Sequence, residues 1–452
     1  MEPLARIDED VLEPPAEPAA EGGGPRWSPA LRVAFRFFFS YFVLLLGSGY
    51  VWMLVPYRSV VYPKYAALCL AGVTWIARHV LHTGREIYLI EGAATISNSA
   101  FGTILCGCYL ALAGVATVVW SVLDRRRLEY RRLHAWFRLL LRLALGLAMI
   151  NYGTFKTIPA QMVAPPPLSV LTQRVGELTR MRMLWISMGA SPQYETFTGL
   201  AELLGGVLLL VPWTVRLGAL VCVADMMNVF VLNMTYDVQV KLYSFHLLAM
   251  GLLLAAPDLP RLANLLLFNR RVEPAPPQPL SSRKWLDRVP HVLLLLLGLY
   301  AIGAGFGRAR EVYGQFHPPQ PPLYGVWNVE EYAVDGKEVP PSTDPQGWRS
   351  VLFQKRGSIT IERSIGSWDH HPLELDLKRK TLRIGQTLDP KSQTTPPPVW
   401  RSSFALSEPE EDVLVLDGWF EGHRTHVKLR QAALLRRGFH WIFELPPEDR
   451  DE

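Results

Sequence analysis

Apolar residues in this chain are gathered into runs long enough to cross a bilayer, and no other feature limits its fold so sharply. A helix needs about 20 mostly apolar residues to span the hydrocarbon layer. Seven segments meet that length: 31 to 55, 99 to 123, 134 to 156, 196 to 213, 215 to 235, 238 to 257 and 289 to 307. An eighth apolar stretch, 65 to 82, ends in Arg78, His79 and His82.

The charges between the runs orient them. The stretch DRRRLEYRRLHAWFRLLLR carries Arg125, Arg126, Arg127, Arg131 and Arg132, the densest basic cluster beside any run. Basic loops stay on the cytoplasmic side, so this loop is expected inside, as are Arg216 and the group Arg270, Arg271, Arg283, Lys284 and Arg288. The N-terminus is then cytoplasmic and the C-terminus lies outside a cell (inner) membrane. The assignment requires 56 to 98 to stay on the outer side, with 65 to 82 as an interfacial or re-entrant helix. Tyr57, Tyr62, Tyr65, Trp75 and Tyr88 suit the headgroup layer there. Residues 1 to 30, acidic and rich in Pro and Gly, read as a disordered cytoplasmic tail. The net charge of +5 is spread over loops and a polar C-terminal region, which argues against nucleic acid as a partner.

Beyond the last run the pattern changes. Pro-rich spacers lie at 273 to 282 and 317 to 325, and a linker over 308 to 322 leads into short alternating runs such as YGVWNVEEYAV, GSITIERS, LELDLKRKTLRIG, DVLVLDGWF, THVKLR and FHWIFEL. They predict an antiparallel sheet of about eight strands over 323 to 447, closed as a barrel or folded as a sandwich to hide its edges. The expected fold class is therefore a polytopic α-helical membrane protein, over 31 to 307, followed by an extracytoplasmic all-β domain. Trp327, Trp348, Trp368, Trp400, Trp419 and Trp441 supply apolar bulk for that domain. Cys69, Cys106, Cys108 and Cys222 all lie in apolar runs, as packing residues rather than a disulfide framework. His370, His371, His423, His426 and His440 follow no ligand spacing, so no metal is expected.

Polar residues recur inside the runs at one depth. NMTYDVQ is the outer turn between the fifth and sixth spans, and at about 1.5 Å per residue Asn228 and His246 each lie roughly 10 to 14 Å inward of it. Asn233, Asp237 and Lys241 sit nearer the surface. The fourth span contributes Glu195 at its rim and Glu202 two turns in; the third leaves the membrane through MINYGTFKTIP, with Asn151, Tyr152 and Lys156. An ionisable group in hydrocarbon costs at least a few kcal/mol, so such groups face one another or a wet cavity. These ten residues are expected to line a pocket open to the outer half of the bilayer. A hydrogen-bond network that merely holds the bundle together would use the same residue types. No catalytic residue is assigned: a nucleophile elbow, phosphate loop, HExxH helix and dinucleotide fingerprint are all missing from the sequence.

The runs NYGTFKTIPAQM, MGASPQYETFTGLAELLGGVLLLVPWTVRLGAL and NVFVLNMTYDVQVKLYSFHLLAMGLLLAAPDLPRL resemble the DoxX-like integral membrane proteins, over residues 134 to 262. The shared pattern is matched at Tyr152, Gly153, Lys156, Gly199, Glu202, Gly205, Gly206, Arg216, Asn228 and Lys241. The resemblance implies a four-helix membrane core. For some relatives it also implies a part in quinone-linked sulfur oxidation or in thiol and oxidative-stress handling. The additional N-terminal spans, the seventh span and the β domain depart from the simple pattern. LYGVWNVEEYAVDGKEV, with Gly325 and Trp327, resembles the G-x-W opening of lipocalin-like barrels, in which the Trp closes the barrel base.

Two functions are expected from these features. In the first, the protein is redox-associated, and Glu202, Asn228, Lys241 and His246 hydrogen-bond a quinone-like lipophilic head group and relay its protons. In the second, it is a non-enzymatic membrane scaffold whose β domain binds a lipophilic small molecule or an extracytoplasmic protein partner. A transporter would place a polar site at similar depth, but no inverted repeat or pair of broken helices is visible.

Overall fold

The computed structural model describes residues 27–49, 58–84, 86–87, 98–162, 167–273, 279–340, 344–387, 399–410 and 412–432. The expected tail as far as residue 26, much of 83 to 98 and the strand expected at FHWIFEL lie outside these residues. The helices are α1 (Pro29–Gly49), α2 (Arg58–His79), α3 (Ala100–Leu123), α4 (Arg131–Thr157), α5 (Leu168–Leu171), α6 (Arg180–Gly189), α7 (Pro192–Leu210), α8 (Val215–Thr235), α9 (Lys241–Ala255), α10 (Leu259–Leu266) and α11 (Lys284–Phe316). The strands are β1 (Gly325–Val334), β2 (Lys337–Glu338), β3 (Trp348–Phe353), β4 (Ser358–Arg363), β5 (Trp368–Asp376), β6 (Thr381–Gly385), β7 (Trp400–Glu410), β8 (Val413–Phe420) and β9 (His423–Gln431).

Six helical stretches among the described residues are long and apolar enough to cross a membrane: Pro29–Gly47, Ala100–Leu123, Arg131–Thr157, Val215–Thr235, Lys241–Leu266 and Lys284–Phe316. The chain is thus a multi-pass membrane protein with a C-terminal β-barrel. Helix α7 occupies the expected fourth span, but Glu195, Glu202 and its polar first turns keep it below the apolar composition of the other six. The stretch 65 to 82 forms most of α2, a single 22-residue helix that continues through Pro63. The linker expected from 308 is helical as far as Phe316, because α11 extends over 33 residues.

Contacts divide the chain into two compact units, residues 1–145 with 239–294 and residues 146–238 with 295–452. In the first, Ser99 caps α3 by accepting the Gly102 N–H at 3.1 Å. Arg36 of α1 is buried and fully engaged. Its guanidinium donates to the Tyr130 hydroxyl at 2.8 Å, to Ser121 Oγ at 2.9 Å and to the Asp124 carbonyl at 2.9 Å. Tyr130 in turn donates to Asp124 Oδ2 at 2.9 Å, so a charge near the end of a spanning helix is matched by partners from the α3–α4 connection. Around it Phe35, Phe39, Trp120 and Phe137 pack edge to face or tilted.

In the second unit the strands form an antiparallel meander that closes on itself. Each strand from β3 to β9 pairs with its sequence neighbour, β1 pairs with β3, and β1 also pairs with β9 from Trp327 opposite Gln431 to Val334 opposite Thr425. Eight strands make the closed barrel, and the two-residue β2 hangs on β1. Closure leaves no long open edge. The alternation that predicted strands fills the interior: Trp327, Trp348, Phe353, Phe404, Phe420 and Leu416 belong to one cluster of sixteen buried apolar residues. The Trp327 indole N–H donates to the Leu323 carbonyl at 2.9 Å. Polar groups share that interior, Arg363 and His371 among them. Arg363 donates to Asp369 at 2.6 Å and to the Gln346 carbonyl at 2.6 Å. His371, 1% exposed, lies 2.9 Å from the Gly385 carbonyl through Nδ1, and burial pulls its pKa below the usual histidine value. On the outer surface of the barrel, Val326 and Leu352 pack against Leu168 of α5.

Candidate functional site

The densest buried charge of the second unit is built where α4 meets α7. Ser191 caps α7 by accepting the Tyr194 N–H at 3.3 Å, and Pro192 supplies the first helical residue, so the helix begins at a fixed point. Gly153 of α4 and Gly199 of α7 then allow backbone-to-backbone approach. A Cβ at Gly153 would fall 2.6 Å from the Leu203 nitrogen, and one at Gly199 2.7 Å from the Lys156 carbonyl carbon. Small residues at such crossings are how membrane helices come close. The crossing delivers Lys156 to Glu202: Nζ lies 2.5 Å from Oε1, and the two residues are 6% and 1% exposed.

Glu195, fully buried one helical face along α7, is held differently. Its Oε1 accepts the backbone N–H groups of Gln161 at 3.1 Å and Met162 at 2.9 Å, tying α7 to the chain that leaves α4. Helix α8 adds a third carboxylate, since Asp225 lies within electrostatic range of both Glu202 and Lys156. Tyr152 is also within range of Glu202. Cys222 packs on α7, where a Cβ at Gly205 would come within 2.9 Å of its sulfur.

One oxygen of each carboxylate is left over. Glu195 Oε2, Glu202 Oε2 and Asp225 Oδ2 are buried with no hydrogen-bond partner among the described residues. Three carboxylates facing one ammonium cannot all remain ionised out of water without a proton or a donor to match them. The arrangement can therefore bind protons, or the hydroxyl and carbonyl groups of a neutral molecule. No cluster of three or more His, Cys, Asp or Glu among the described residues has the geometry to hold a metal ion.

The other expected pocket residues are distributed. Asn151 accepts from Arg308 of α11 at 3.2 Å. Asn233 is buried in α8, and Lys241 is half-buried at the start of α9. Asp237 is exposed in the turn between those helices with φ 56°, so it and Lys241 are not one turn apart on a single helix. Asn228, expected to face inward, is exposed. The buried side of α8 carries Cys222 and Met226, and Asn228 is two residues beyond Met226, about 200° around the helix. His246 belongs to the first unit. Its Nδ1 lies 2.5 Å from the Leu242 carbonyl, which can only accept, so Nδ1 carries the proton and the Tyr41 hydroxyl donates to Nε2 at 2.6 Å. The stacked Tyr41 and His246 rings form a separate buried pair.

Sequence reasoning missed Asp225 as a member of the α4–α7 cluster and Tyr41 as the partner of His246. Asp225 had a signal: it is one residue before the buried Met226 and one helical turn beyond Cys222, the last of the small buried residues Gly218, Ala219 and Cys222. Tyr41 lies in the aromatic run FRFFFSYF, where nothing distinguishes it except that a buried hydroxyl needs a partner.

No family profile matches the chain, and no solved structure matches it. A curated relative does: the uncharacterized protein YwoB of Bacillus subtilis (strain 168) is 32% identical over 117 residues, 26% of this chain and 73% of YwoB. The protein described here therefore belongs to the same family as YwoB.

Proposed function

We propose that this is a redox-associated protein of the cell membrane in which Lys156, Glu202 and Asp225 hydrogen-bond the head group of a quinone-like lipophilic molecule and exchange protons with it. The observation that carries the reading is the set of three buried carboxylate oxygens that have no partner among the described residues, beside the Lys156–Glu202 pair. A quinone takes up two electrons and two protons when it is reduced to the quinol; the electrons would come from a separate redox partner, and the residues of this chain would handle the protons. Lys156 holds Glu202 in place and offers N–H donors to a carbonyl oxygen; Glu202 and Asp225 accept or return protons through their free oxygens. The resemblance to DoxX-like proteins supports the same reading. The basic cluster from Arg125 to Arg132 favours a cytoplasmic N-terminus and an extracytoplasmic barrel. The runner-up, a lipophilic guest inside the barrel, has against it an interior already filled by Trp348, Phe404 and Phe420. That leaves a protein partner on the outer surface as the barrel's role.

The test is to purify the protein from its membrane and extract bound lipid. A quinone is expected in near-stoichiometric amount, and Glu202→Gln is expected to lower proton-coupled turnover by about 100-fold or more while the protein still folds. Absence of any quinone, with unchanged redox activity in membranes carrying the variant, would reject the proposal.

A further inference from the structure

The buried charge cluster has one edge that is not closed. On α8 the buried positions are Val215, Gly218, Ala219, Cys222, Met226 and Asn233. At about 100° per residue, Asp225 falls on the flank of that face and Asn228 roughly 60° further out. Burial follows the same gradient. Glu202 is 1% exposed, Asp225 is half-buried, and Asn228 is exposed beside Met227, Val231 and Met234, themselves exposed on a helix of spanning composition. Residues three apart on a helix are neighbours, so the Asp225 carboxylate and the Asn228 amide form one continuous polar edge. The inner end of that edge lies within electrostatic range of Glu202 and Lys156, and its outer end is exposed on a helix of spanning composition.

An amide set against lipid is costly unless something bonds to it. The Asn228 side chain makes no hydrogen bond among the described residues, and Asp225 Oδ2 is buried without one. We propose that the Asp225–Asn228 edge of α8 is the portal through which a neutral, lipid-soluble molecule with a carbonyl or hydroxyl head group enters the cluster from the bilayer. Asn228 makes its first hydrogen bond and Asp225 the next. The inference rests on the reading of the cluster given above and adds the route and the recognising residue. Neutrality follows from the surroundings: Lys156 is already paired with Glu202, so the cluster offers an anion no spare positive charge, and a bare cation does not cross hydrocarbon to a lipid-facing opening. The amide suits both redox forms of such a head group, because it donates to a carbonyl and accepts from a hydroxyl.

The experiment uses the full chain in lipid nanodiscs. With the four native cysteines replaced by serine or alanine, a spin label at Asn228→Cys is expected to relax strongly with oxygen and weakly with a water-soluble nickel complex. A short-chain benzoquinone carrying a photoreactive group should label the α8 peptide containing Asp225 and Asn228, and Asn228→Leu should cut that labelling at least fivefold. A label shielded from both relaxants would mean that a second protein surface, such as another copy of the chain, covers the edge. A label open to nickel would mean a wet entrance. Either result overturns the portal. Photolabelling confined to other helices also overturns it, and leaves the reading of the cluster standing. Labelling at the edge without proton-coupled turnover would sink that reading and leave the portal.

Discussion

Helices α4 and α7 turn Lys156, Glu195 and Glu202 into the protein, whereas the barrel turns Glu330, Lys428 and Arg430 out to solvent and fills its centre with Trp348, Phe404 and Leu416. The barrel is built as a soluble domain is built, with ion pairs where water screens them and a dry core where packing density stabilises it. The helices have surroundings that are apolar on the outside, so their polar groups face inward and meet one another. A buried ion pair is weak evidence for stability, because desolvation offsets its attraction. Its presence between α4 and α7, with carboxylate oxygens to spare, therefore points to use rather than to scaffolding.

Breaking the pair is expected to have the largest effect. Lys156→Met leaves Glu202 ionised or newly protonated with no partner, and should destabilise the helical part by about 3–5 kcal/mol. The double variant Lys156→Met/Glu202→Leu should recover most of that loss, because two apolar side chains can pack where the pair stood. Unfolding in mixed micelles, followed by helical circular dichroism, measures both. If the double variant is as unstable as the single one, the pair is structural and the contrast with the barrel weakens.

The barrel should respond to volume instead. Leu416 is fully buried in the apolar cluster, and Leu416→Ala should cost about 3 kcal/mol through lost transfer energy and the cavity left behind. The loss should appear in tryptophan fluorescence and leave the binding of any quinone untouched. A coupled loss of quinone would tie the two regions together.

What could be read from the sequence divides along the same line. Runs of twenty apolar residues and period-two alternation have one physical solution each, so the spanning helices and the sheet were legible, and β1 and β9 followed from their alternating runs. The barrel and the sandwich share that alternation; closure depends on β1 reaching β9, a pairing about 100 residues apart that no local pattern carries. Within the helices, Lys156 and Glu202 were legible as costly residues, but their partnership depends on how α4 and α7 rotate about the Gly153–Gly199 crossing. Depth alone misjudged Asn228, because two residues at the same depth point to opposite sides of a helix. Counting from the small residues Gly218, Ala219 and Cys222 gives the correct face and brings in Asp225.

A pH effect of intermediate size should come from the barrel. His371 is buried as the neutral imidazole, with Nδ1–H donated to Gly385 and Nε2 without a partner among the described residues. Its folded pKa is depressed by burial. Above an unfolded value of about 6.5 both states are neutral and stability is unaffected; below it the unfolded chain takes up a proton that the folded barrel refuses. The barrel should lose stability as pH falls from about 6.5 toward the folded pKa, by at most about 1.4 kcal/mol per pH unit. Chemical denaturation at pH 7.5 and at pH 5.5 checks the slope, and His371→Leu should flatten it. A slope unchanged in that variant would assign it to other groups.

The smallest effect is expected at the barrel surface. Arg430 bonds Glu330 at 2.5 Å and Asp412 at 2.9 Å, with Glu410 at 3.6 Å, while Lys428 bonds Glu331 at 2.7 Å. Through Arg430 this network joins β9 to β1, to the β7–β8 turn and to the end of β7, and it holds the Glu330 carboxyl below the usual range. Such pairs compete with water and with the entropy of long side chains. Arg430→Ala should leave the melting temperature of the barrel nearly unmoved, and whatever shift appears should vanish at about 1 M salt, where screening shortens to roughly 3 Å. A loss as large as that of Lys156→Met would show that the outer charges hold the closing β1–β9 seam. Charge would then be structural in the barrel, and its placement would no longer mark the helical cluster as the functional one.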